Sequence, residues 1–146
     1  MTANWNLKIH FDIRELTEFK ERLKALPYAR LGDFLRKEAT RLAGQAKQRA
    51  IDGTPVDTGT LRAAWRHFPA RIVAQGVAQS MVGNATEYAM YVEYGHRTRG
   101  GGGWVEGKRM LGAAEYELRY GGNSKLPMRE QLKRNLDAFL TKELSK

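Results

Sequence analysis

Catalysis needs reactive side chains at fixed spacing, and this chain offers few. His10, His67 and His96 are scattered, and none has a second histidine or a carboxylate at ligand spacing on one expected element. Cysteine is absent, which removes disulfides, Cys-based zinc sites and thiol nucleophiles together. Ser80, Ser124 and Ser145 stand outside any nucleophile-elbow pattern, and no Ser, His, Asp order suggests a triad. The run Gly100, Gly101, Gly102, Gly103 invites comparison with a phosphate cradle, but it lacks the P-loop spacing and no apolar strand aims it. Glu87, Glu93 and Glu106 border aromatic residues. With Arg97, Arg99, Lys108 and Arg109 nearby, they read as partners in structural or intersubunit ion pairs rather than as acid–base groups. The residue types therefore predict no catalytic, cofactor or metal site and point away from an enzyme.

What the glycine run does have is flanks suited to a contact. His96, Arg97 and Arg99 precede it and Trp104 follows, an aromatic anchor with cations that an idle linker does not need. The expectation is a long loop at about residues 95–107 that is mobile alone and becomes ordered against a partner. Tyr88, Tyr91 and Tyr94, with Trp65, read as core and interface residues. Their spacing spreads the rings over more than one face, which does not suit base stacking.

The elements that must position these residues follow from periodicity. Leu7, Ile9 and Phe11 alternate with Lys8, His10 and Asp12, as in a strand with one buried face. Leu16, Phe19, Leu23 and Leu26 predict a helix over residues 13–26, ended by Pro27. A longer helix is predicted through Leu31, Phe34, Leu35, Leu42, Ala46 and Ala50, stopped by Gly53 and Pro55. Residues 54–65 read as an ordered loop leading into a short apolar helical turn, and residues 66–84 as two antiparallel strands joined at Gln75 and Gly76. Pro69 assigns the first of these strands to a sheet edge or shortens it. Residues 87–95 fit either a strand or two helical turns capped by Gly95, the helix being favoured. A helix over residues 108–120 ends at Gly121, Gly122, Asn123 and Ser124. A last amphipath after Pro127 lines up Leu132, Leu136, Phe139, Leu140 and Leu144. The fold class is α+β: a small antiparallel sheet packed by a long helix and a C-terminal amphipathic helix, in one domain over residues 1–146.

Composition bounds the rest. At 146 residues, 42% hydrophobic and 28% charged, the chain is globular, and no apolar run approaches the roughly 20 residues of a membrane span. The N-terminal residues lack the apolar stretch and cleavage site of a signal peptide, so synthesis in the cytoplasm is expected. Lys+Arg number 25 against 16 Asp+Glu, a formal +9, which suits phosphate, an acidic protein surface or an anionic lipid face without choosing among them. Basic residues are interleaved with acids, as on a solvated face.

Several segments in order carry a more specific signal. Pro55, Val56, Asp57, Thr58 and Gly59 are followed by Leu61, Arg62 and Trp65, then by Asn84. Tyr88, Ala89, Tyr91, Val92, Glu93, Tyr94 and Gly95 come next, and a glycine-rich loop leads into an apolar helix. Over residues 31–118 this order resembles the tail-completion, or head-tail joining (neck), proteins of long-tailed bacteriophages, departing from it at Met90 and Glu106. The resemblance implies a small α/β virion subunit that assembles as a ring, typically six-fold, between the connector and the tail tube, built in the host cytoplasm. Partners implied are copies of itself, neighbouring connector and tail-tube or terminator proteins, and DNA in the lumen. His96, Arg97, Arg99, Trp104, Glu106, Lys108 and Arg109 would form the assembly loop. In the motif, Asp57 and Thr58 suit a cap for the turn at residues 61–65, Gly59 a turn closed to other residues, and Tyr88, Tyr91 and Val92 packing area. A collar or terminator subunit of a headless tail-like particle would carry the same signature. A basic nucleic-acid-binding protein is the competing class.

Overall fold

Leu7, Ile9 and Phe11 all turn inward from the first strand, β1 (Asn6–Asp12), as the period of two predicts. The computed structural model describes residues 6–122 and 125–146. The sheet completes itself through a hairpin, β2 (Trp65–Ala74) and β3 (Val77–Asn84), with its turn at Gln75 and Gly76 as expected. The strand order is β1-β3-β2, antiparallel throughout, so β2 is an edge. Pro69 sits in a register shift between Phe68 and Arg71, where its missing N–H costs no ladder bond.

Residues paired across an antiparallel ladder share a face. Leu7, Val82 and His67 form one inward row, and Phe11, Ala78 and Ile72 another. The long helix α2 (Tyr28–Asp52) packs on this face, burying Leu31, Leu35, Ala39, Leu42, Ala43, Ala46 and Ala50. Its small residues let the sheet approach closely. The opposite face carries the rows Lys8–Met81–Phe68 and His10–Gln79–Arg71.

Residues 13–26 do not form the single helix predicted. Two 3₁₀ turns, Ile13–Glu15 and Thr17–Phe19, lead into one short helix, α1 (Lys20–Lys24). Asp12 caps the first by accepting from the Arg14 backbone N–H at 3.0 Å, Ile13 N donates to Gly76 O, and Leu16 (ψ 74°) interrupts the helical path. Ile13, Leu16 and Phe19 are buried at a spacing of three, the period of a 3₁₀ turn.

The C-terminal helix α6 (Met128–Leu144) buries Leu132, Leu136 and Leu140 and stacks Phe139 on Phe34 of α2 at 4.6 Å, while Leu144 is exposed at its end. Glu38, buried on α2, accepts from Arg41 and from Asn135 of α6, so the carboxylate that crosses this interface is satisfied. Lys133 to Glu18 (2.8 Å) and Arg22 to Asp137 (2.7 Å) bind residues 13–26 to α6. Helix α5 (Met110–Tyr120) lies against α2, with Arg49 Nε 3.1 Å from Glu117 Oε2 in a charge contact without hydrogen-bond alignment. Of the break predicted after α5, the glycines are seen, and Asn123 and Ser124 lie outside the described residues. No helix among the described residues is long and apolar enough to cross a membrane.

Three carboxylates titrate below their ordinary range. Asp12 is held down chiefly by its hydrogen bond from the Arg14 guanidinium, Glu18 by that from Lys133, and Glu143 by that from Lys146. A depressed folded value stabilises above the unfolded value, and that stability is lost as pH falls through the folded one. The contribution of these three groups to melting stability should therefore be present at neutral pH and fall away as the pH drops through their ordinary values of 3.8 (Asp12) and 4.5 (Glu18, Glu143) towards the lowered ones. Asp12→Asn should reduce that acid drop, and an unchanged profile would remove Asp12 from it.

Candidate assembly site

Two clusters hold the motif residues, one structural and one exposed. In the first, residues 54–65 fold over the end of α2. Trp65, 1% exposed, donates its indole N–H to Thr54 Oγ1 at 2.8 Å, and Thr54 in turn donates to Ala50 O at 2.6 Å. The short helix α3 (Thr60–Ala63) begins at Gly59, whose φ of +84° is open to glycine, and Leu61 beneath it is buried. Asp57 does not cap α3 as expected. The Thr58 hydroxyl instead accepts from Thr60 N at a long 3.4 Å, because Gly59 in the left-handed region occupies the cap position itself. Asn84, buried at the end of β3, donates to Leu61 O at 2.9 Å and accepts from the Thr86 N–H and hydroxyl. Pro55, Val56, Asp57 and Arg62 are exposed on the outside of this knot.

The second cluster begins at helix α4 (Ala89–Tyr94), confirming the helical alternative for residues 87–95. Ala89 and Val92 turn inward, whereas Tyr88, Tyr91 and Tyr94 face solvent, Tyr91 at 58%, so the tyrosines add nothing to the core. Gly95 then opens a two-stranded hairpin, β4 (Gly95–Arg97) paired with β5 (Trp104–Glu106). The glycine run forms its tip, where Thr98 N donates to Gly103 O and Gly101 N to Thr98 O. Trp104 is 55% exposed and Val105 is exposed beside it. Tyr91 meets His96 edge-on at 6.4 Å, and the Arg109 guanidinium lies 5.7 Å from the Tyr94 ring centre. Among the described residues the ion pairs include none of Arg97, Arg99, Glu106, Lys108 or Arg109. The hairpin thus presents aromatic area and uncompensated positive charge.

Its base is clasped from inside. Glu93, 1% exposed, is not part of an ion pair as expected. Its carboxylate accepts from Leu111 N at 2.9 Å and Gly112 N at 2.7 Å, two of the orphan donors in the first turn of α5. Lys108 N donates to Val92 O at 2.7 Å and Arg109 N to Glu93 O at 3.1 Å, so the chain leaves and re-enters the fold at one point. A Cβ on Gly107 would lie 2.2 Å from Glu93 O, and one on Gly95 2.5 Å from Val105 O. Arg109 adopts φ +50° where α5 begins. Gly107 and Gly112 carry this closure yet stand outside the recognised motif; the signal available was a second pair of glycines framing the basic segment after Trp104.

Among the described residues there is no group of three His, Asp or Glu that could hold a metal ion. Residues 17–95 match the family model described as "Bacteriophage HK97-gp10, putative tail-component", covering the α2 core, the Trp65 knot, the sheet hairpin and α4. No curated protein and no solved structure matches the chain. With more than half of its 146 residues matched, from the α1 region to the glycine that opens the hairpin, the chain belongs to the HK97-gp10-like family of bacteriophage tail components.

Proposed function

We propose that this tail component assembles as an oligomeric ring, six-fold, at the head-proximal end of the tail, where it joins the tail to the connector. The observation that carries the reading is the hairpin of residues 95–107. It is held at its base by satisfied contacts to the buried Glu93 carboxylate, while Trp104, Val105, Tyr91 and Tyr94 stay exposed and, among the described residues, Arg97 and Arg99 enter no ion pair. Large aromatic residues beside arginines on a rigid support are what interface hot spots are made of. His96, Glu106, Lys108 and Arg109 form the polar surround of this patch. The role is mechanical, carried by contacts between subunits and rings. A collar or terminator subunit of a headless particle would use the same surface.

Trp104→Ala is the test. Mass by light scattering behind a sizing column, across concentration and with purified tails added, should show a ring-sized or tail-bound species for the native chain. For the variant it should show loss of that species at an unchanged melting temperature. Unfolding of the variant would place Trp104 in the core and defeat the reading. A monomer or dimer without affinity for tails, binding DNA with a steep salt slope, would favour the nucleic-acid class suggested by the +9 charge.

A further inference from the structure

The sheet has a second surface that the hairpin does not involve. On the face away from α2, Phe68 (50% exposed) lies across from Met81, with Lys8 completing the row and His10 and Arg71 in the next. Among the described residues, Lys8 and Arg71 take part in no ion pair. Arg66, at the margin, is folded back onto the carbonyls of Ala63 and Trp65. Asp12, which follows His10 by two along β1, is occupied by Arg14. Phe68 on the edge strand and half-buried Met81 on the middle strand, flanked by Lys8 across the row and Arg71 further along β2, pair apolar area with charge as a protein interface does, whereas a phosphate backbone needs the cations and has no use for the Phe and Met. Like charge opposes a second copy of this face, and Pro69 with its register shift spoils β2 as an edge for strand addition.

From these features we infer that the outer sheet face docks a different virion protein through an apolar surface flanked by Asp and Glu. The inference rests on the chain being a tail component and concerns a surface separate from the hairpin. Phe68 packs on the partner's apolar surface, and Lys8 and Arg71 set register and pairing speed through complementary charge.

The test places photoreactive benzoylphenylalanine at position 68, and separately at 104, in particles of the element that encodes the chain, followed by cross-linking and peptide sequencing. The expected product from position 68 joins another virion protein at a segment richer in Asp and Glu than in Lys and Arg. The double variant Lys8→Glu, Arg71→Glu should fold normally by circular dichroism and enter particles at roughly a tenth of the native level or less. Cross-links from 68 to the chain's own residues, to a second copy, to DNA or to a basic segment would overturn the inference. So would no product at 68 when 104 gives one, or undiminished entry of the double variant. Absence of the native chain from particles would overturn the tail-component reading and this inference with it. Presence of the chain with failure at 68 overturns the inference alone.

Discussion

Glu93→Gln should lower stability by about 3 kcal/mol, seen as a fall in melting temperature of roughly 10 °C, though the residue touches no surface. The carboxylate takes two N–H groups of α5 at 2.9 and 2.7 Å from within the core. An amide of the same shape can accept only one of them and turns its own N–H₂ toward the other, leaving two donors opposed across a buried side chain. The favourable alignment of negative charge with the helix N-terminus is lost as well. Amide exchange should report the cause, with protection at Leu111 and Gly112 falling before that of β3. A variant as stable as the native chain would mean that α5 is held in place without these two bonds, by packing that includes Met110, Leu111, Ala114 and Leu118.

Gly107→Ala should be as damaging or more so. The added methyl would lie 2.2 Å from Glu93 O and 2.6 Å from Tyr94 C, and both are backbone, which cannot rotate aside. Crowding of this kind costs about 1–3 kcal/mol when a core can adjust, and here the only adjustment is to open the clasp. The control is Gly102→Ala at the hairpin tip, where nothing lies within 4 Å; it should melt within about 0.5 kcal/mol of the native chain. Equal melting of the two variants would show that the hairpin base is not held closed in solution.

The contrast between these sites explains what could be seen in the residues alone. β1, α2, the sheet hairpin, α5 and α6 bury one face at a regular period, so alternation and helical spacing reveal them. The α+β class follows from their sum. Residues 13–26 escaped because Leu16, Phe19, Leu23 and Leu26 suit a helix at low resolution, while the decisive features are a side-chain cap from Asp12 and a backbone bond to Gly76 across the sheet turn. The hairpin was visible as a basic, aromatic segment but not as paired strands, since three-residue strands carry no period. Glu93 was misread for a deeper reason. An acid beside a tyrosine and near several cations resembles an ion-pair partner, and only the return of the chain at Lys108 brings backbone N–H groups to it instead. Likewise the outward row of Lys8 and His10 was legible as a polar face, but Phe68 and Arg71 join it only through strand register.

The single point of exit and return has an architectural consequence. Because Lys108 N and Arg109 N close onto Val92 O and Glu93 O, the body of the molecule is insensitive to how long the intervening segment is. Doubling a flexible loop between fixed ends adds only about 0.6 kcal/mol of closure cost. The arm can therefore be lengthened, shortened or exchanged as a cassette, so that the distance bridged to a neighbour is tuned independently of the folding of the body that carries it.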